Sequence, residues 1–223
     1  MRSVCSGLLT AGLFVLVASP AFAQPPANRG MRQPPTAASL LRSDKVKTEL
    51  KLTDDEKEKI TKITDKYKDD LAAARTAQDR EKSAELRKAE SADLEKALPT
   101  ILNADQTKRL NQLVVQASGL DAFSKDNVKT ALKLTDKQSK DIDDQKAQVT
   151  KDAEDLMKDV GTDGQKRREA FQKVRTMRKD AMDKVLASFN DDQKKAWSGL
   201  TGDTFTFDFG RQGGRRPRTT NNQ

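Results

Sequence analysis

The chain contains no histidine and a single cysteine, Cys5. These absences exclude every mechanism that needs an imidazole base, a thiolate nucleophile or a His/Cys metal site. Aromatic residues are 4% of the 223 and charged residues 34%, a mixture that belongs to long polar helices rather than to a β-rich fold. Long apolar runs are missing as well, since Leu8 to Val17 falls short of the about 20 residues that span a bilayer. No G-x-x-x-x-G-K-[ST] loop occurs, so nucleotide hydrolysis has no support in the sequence. The residues name no reaction and no cofactor, and the chain reads as a non-enzyme.

What is present begins with an address. Residues 1–23 run from Arg2 through the apolar segment to Ala21-Phe22-Ala23, the charged, apolar and small-residue order of a secretory signal. Cleavage after Ala23 predicts a periplasmic or secreted chain of 200 residues without cysteine. Oxidising surroundings then cost it nothing.

Charge is unevenly placed. The total is 42 Lys plus Arg against 34 Asp plus Glu, or +8. All 34 acidic residues lie between Asp44 and Asp208, where 34 basic residues balance them. The excess sits in Arg2, in Arg29, Arg32 and Arg42, and in Arg211, Arg215, Arg216 and Arg218. The flanking stretches 24–42 and 203–223 are read as arms, the first Pro-rich and flexible, the second Phe-containing and then Arg-rich. Their outer parts, 24–36 and 211–223, hold few apolar groups and cannot bury enough surface to order themselves. The arginine arm, Arg211 to Arg218, is a candidate anion site for anionic lipid or cell-wall polymer rather than for nucleic acid.

The body is duplicated. Val46 to Asp54 reads VKTELKLTD and Val128 to Asp136 reads VKTALKLTD, eight matches in nine at an offset of 82. Each half also closes on a related pattern, so four copies result: Leu52-Thr53 with Glu56, Leu102-Asn103 with Gln106, Leu134-Thr135 with Gln138, and Phe189-Asn190 with Gln193. Thr or Asn at a helix start accepts from a free amide of the first turn. Glu or Gln three residues on reaches back to the N–H of the cap. The four motifs therefore predict four helix starts.

Apolar residues then recur at three- and four-residue spacing on charged helices, Ile60, Ile63, Tyr67 and Leu71 in one half and Ile142, Val149, Ala153 and Leu156 in the other. Gly161-Thr162-Asp163-Gly164 predicts a turn between two arms of about 25 residues each, roughly 37 Å. The first half has no such glycine, leaving either a turn near Gln78-Asp79 or one helix from Asp54 to Leu98, with Pro99 kinking or ending it. The fold expected is all-α, two tandem helical-hairpin modules at 43–123 and 124–202 of long amphipathic helices with disordered N- and C-terminal arms. Narrow stripes bury little alone, so the halves must pack together or form a homodimer. Phe205, Phe207 and Phe209 alternate as on a strand; they could clamp a client peptide or stack nucleobases, and folding back over the apolar helix ends is the better reading.

Asp159 to Gly164 places Asp, Asp and Gly at positions 1, 5 and 6 of a calcium loop. Gly161, Arg167 and Ala170 then occupy positions where oxygen ligands are needed, and a helix-to-helix turn is the better reading. The acidic groups Asp69-Asp70 and Asp141 to Asp144 lie among lysines and read as solvated helix faces.

Leu134-Thr135-Asp136-Lys137-Gln138 before a long charged helix, with three variant copies on a secreted all-helical chain, resembles the LTXXQ-motif family of Spy- and CpxP-like periplasmic proteins. The likeness covers roughly residues 43 to 200, as a tandem duplication of the family-like unit. The resemblance implies an ATP-independent chaperone or envelope-stress protein that binds unfolded or partly folded proteins. Its alternative is a regulatory or structural envelope protein docking on a sensor domain, outer membrane or cell wall. Ile60, Ile63, Leu71, Ile142, Val149 and Leu156 are the candidate client face, with core as the competing reading of the same stripe.

Overall fold

The computed structural model describes residues 35–158, 160–161 and 163–207. The signal segment, the outer N-terminal flank up to 34, Phe209 and Arg211 to Arg218 lie outside the described residues. Among those described there is no strand. The first half holds α1 (Ala37–Leu41), α2 (Asp44–Glu49), α3 (Asp54–Asp65), α4 (Lys68–Thr76), α5 (Arg80–Ile101) and α6 (Ala104–Ser118). A 3-10 segment, Gly119–Ser124, leads into α7 (Asp126–Leu132), α8 (Asp136–Lys158), α9 (Gly164–Ala187) and α10 (Asp191–Thr201).

All four predicted caps form. Thr53, Asn103, Thr135 and Asn190 accept from the amide three residues on, and Glu56, Gln106, Gln138 and Gln193 return the bond to the cap N–H. The lysine before each Leu-Thr pair has a role that the motif alone does not show. Lys51 and Lys133 are left-handed, at φ 51° and 48°. Lys51 N–H donates to Thr48 O at 2.9 Å and Leu52 N–H to Lys47 O at 3.0 Å; Lys133 and Leu134 repeat the pair on Thr130 and Lys129. This doubly bonded helix end turns the chain so that the next residue, Leu52 or Leu134, points inward and the following Thr caps a new helix. Glycine is usual at such a position, and lysine there stores strain.

The first half is a hairpin, not one long helix. Gln78 takes the left-handed conformation at φ 54°, Gln78 and Asp79 N–H bond to Arg75 and Ala74 carbonyls, and the Asp79 side chain caps α5 through Lys82 N–H at 2.9 Å. The second hairpin turns through Gly161 at φ 55°, with Asp163 Oδ1 accepting from Gln165 and Lys166 N–H. Asp163 is thus a helix cap; Asp159 and Thr162 lie outside the described residues. Pro99 neither ends α5 nor starts a loop, because it sits in the last turn, where a missing N–H removes one bond from a helix with two residues left to run.

Two clusters form the core. Leu40, Leu41, Val46, Leu50, Ile60, Leu94, Leu98, Leu110 and Leu113 gather in the first; Phe123, Val128, Leu132, Ile142, Ala181, Val185 and Phe189 gather in the second, flanked by Trp197 and Leu200. Phe123 stacks on Trp197 at 4.8 Å and meets Phe189 edge-on at 5.7 Å. Two expected boundaries are corrected. Residues 24–42 were expected to be flexible, yet α1 is capped by Thr36 and Ser39 and buries Ala38, Leu40 and Leu41. A five-residue helix is too short to show periodicity, and only packing reveals it. Nor do the halves separate at 123/124: Val115, Leu120, Ala122 and Phe123 belong to the second cluster, while Phe205 and Phe207 return to the first.

Candidate functional site

Each pair of caps is joined across its module. Gln106 Nε2 donates to Glu56 Oε2 at 3.0 Å, so the starts of α3 and α6 lie side by side. In the second module Gln138 and Gln193 exchange amide bonds at 3.0 and 2.9 Å, and Gln193 Nε2 also donates to Leu132 O at 3.2 Å. Gln106 and Gln193 are buried. The third motif position thus serves two partners, its own cap and the motif 50 or 55 residues away. Partial burial pushes the Glu56 carboxyl up, but hydrogen bonds from Thr53 and the Gln106 amide outweigh it and hold the group below its ordinary value.

Two ion pairs lock the first module further. Arg42 donates to Glu90, whose carboxylate is 2% exposed, and so pins the end of α1 to α5. Counted in the sequence as part of a basic flank, Arg42 is instead the partner of a buried acid. Removing one member of such a pair leaves an uncompensated charge. Arg109 on α6 holds Glu49 at 2.6 Å.

The candidate client face is corrected in its larger part. Ile60, Leu71 and Ile142 are buried, Ile63 packs on the first cluster and Val149 on the second, and Leu156 is half-buried. An amphipathic stripe has one apolar side, and here the hairpin partner and neighbouring helices occupy it. The paired acidic groups are placed as read: Asp69, Asp70, Asp141, Asp143 and Asp144 are exposed, and Asp144 is held by Lys140 at 2.6 Å.

A different surface stands out on α9. The body is neutral in sum but not locally, since α9 carries eight Lys and Arg against three Asp and Glu. Phe171, 57% exposed, is the exposed large hydrophobic residue among those described. Helical spacing puts Arg168, Phe171, Arg175 and Arg178 on one flank. Those three arginines make no ion pair with another described residue, while nearby Lys179 is held by Asp183 at 2.6 Å.

The chain beyond α10 forms the last element of the site. Gly202, at φ 60° and ψ −155°, turns it back toward α6. Gln116 Nε2 donates to Thr201 O at 2.6 Å and Asp203 O at 2.7 Å, while its Oε1 accepts from Phe205 N–H at 3.0 Å. Arg109 adds a bond to Asp203 O at 3.0 Å, and Gln112 one to Gly199 O at 3.1 Å. Phe205 and Phe207, edge to face at 4.9 Å, rest on the first cluster. Of the readings of these rings, folding back over the helices is the one observed for Phe205 and Phe207, and residues 204–207 form no strand.

Among the described residues no helix is long and apolar enough to cross a membrane, and no group of three or more His, Cys, Asp or Glu could hold a metal ion. Comparison with family models, with curated proteins and with solved structures finds no match, so the likeness to the LTXXQ family rests on the four motifs themselves.

Proposed function

We propose that this chain is a periplasmic or secreted ATP-independent chaperone or envelope-stress binding protein of the LTXXQ type, acting on unfolded or partly folded proteins. The observation that carries the reading is Phe171, exposed on a helix flank where Arg168, Arg175 and Arg178 are not engaged by acids among the described residues. An aromatic ring in a cationic field attracts chain segments that are apolar and acidic. Arginine contributes both charge and a flat surface that stacks on exposed rings. Leu156, Met157, Val174 and Met177, all half-buried, add adaptable apolar surface elsewhere on the same hairpin.

The test is suppression of aggregation. Mature protein at near-stoichiometric ratio, without nucleotide, is expected to keep a reduced or heat-unfolded client in solution. The Phe171→Ser variant should do so several-fold less well while remaining as helical as the parent. Failure with several unrelated clients would sink the proposal.

A further inference from the structure

We infer that the first module contains a binding site for extended polypeptide segments bearing bulky apolar residues two positions apart, and that the chain's own residues 203–207 fill it. This rests on the chaperone reading for its biological sense, but the site itself follows from the geometry. The hydrogen bonds described above from α6 to the returning chain end on its backbone, Asp203 O and Phe205 N–H for Gln116 and Asp203 O again for Arg109, and Gln116 also reaches Thr201 O at the end of α10. No side chain of residues 203–207, the strap, is used in these bonds. A clamp that reads only backbone is indifferent to sequence, as a receptor for many unfolded segments must be. Gln116 both donates and accepts, which matches the alternation of C=O and N–H along an extended chain.

Apolar selection is added by the two rings. Phe205 and Phe207 are separated by one residue, the period at which side chains of an extended segment fall on the same side. Both are half-buried on the first cluster rather than enclosed by it. The strap therefore behaves as an internal pseudo-ligand, seated at the margin of a core whose members Leu110 and Leu113 lie on the same helix as the clamp. Tethering by a short link gives it an effective concentration on the order of millimolar. A free segment at micromolar concentration competes poorly until the strap is weakened or many segments are present at once.

The probe is a fluorescent peptide copying residues 201–208, with a control in which both phenylalanines are serine, read by anisotropy on the full mature protein. Phe205→Ser with Phe207→Ser should bind the probe at least about 10-fold more tightly than the parent. Adding Gln116→Ala to that variant should remove most of the gain, and the control peptide should bind neither. Amide exchange on the unaltered protein supplies a reading that depends on no variant: excess probe should accelerate exchange at Phe205 N–H and leave α5 protection unchanged. Equal binding by parent and strap variant, equal binding of the control peptide, or unchanged exchange at Phe205 would overturn the site. Probe binding without aggregation suppression would retire the chaperone reading and keep the site. Suppression by a strap variant that binds no probe would do the reverse.

Discussion

Replacing Gln193 by alanine is the sharpest test of the joined caps. The residue is 6% exposed and its side chain makes four bonds: it accepts from Asn190 N–H at 3.1 Å and Gln138 Nε2 at 3.0 Å, and donates to Gln138 Oε1 at 2.9 Å and Leu132 O at 3.2 Å. Alanine removes all four and leaves the Leu132 carbonyl and the Asn190 N–H without these partners. A net hydrogen bond contributes about 1 kcal/mol, and a buried group left unpaired costs about 1–3 kcal/mol. The Gln138 amide is half-buried and regains water, which discounts its share. The expected loss is therefore about 3 kcal/mol. Urea unfolding of the mature chain followed by circular dichroism measures it. The Gln138→Ala variant alone should lose only about 1 kcal/mol, and the double variant should lose less than the sum, by about 1 kcal/mol of coupling. A Gln193→Ala loss below about 1 kcal/mol, or strict additivity with Gln138→Ala, would refute the claim that the motifs hold each other.

Three further outcomes follow from the same contacts. Lys133→Gly and Gln78→Gly relieve left-handed strain of about 1–2 kcal/mol but add chain entropy of about 0.5–1 kcal/mol, so each should gain up to about 1 kcal/mol and raise Tm by about 2–4 °C in a thermal melt. Glu56→Gln recreates in the first module the pairing of two amides seen in the second; because the Glu56 carboxyl is held below its ordinary value, its contribution is present above the unfolded pKa and lost as pH falls through the folded one. The variant should match the parent near pH 7 and lose less stability on acidification, as read by unfolding midpoints at a series of pH values. Gly202→Ala should destabilise by about 2 kcal/mol in denaturant titration, chiefly because its φ and ψ are nearly restricted to glycine; the new Cβ would also collide with the Gln112 side-chain amide, which is tied to Gly199.

What could be read from the chain follows the range of each interaction. A cap is closed within three residues, so Thr53 with Glu56 or Asn190 with Gln193 is visible in sequence, and so is the turn at Gly161. The turn at Gln78 is legible only as one of two alternatives, because glutamine rarely adopts a positive φ; packing of α4 on α5 decides for it. The link from Glu56 to Gln106 spans 50 positions and leaves no trace in spacing. Phe171 and Ile142 look alike along the chain, both apolar on charged helices, yet one is exposed and the other buried.

The sequence by itself determined that the described body is helical, duplicated, and started at four places by capped turns, because these are matters of local hydrogen bonding and of periodicity. Tertiary structure decided which apolar faces became core, that the capping glutamines bind one another, that α1 is part of the first cluster, and that the end of the second half returns to the first. Those outcomes depend on surfaces far apart in the chain meeting in space, where burial and the need to satisfy buried amides select one arrangement among several that the same pattern allows.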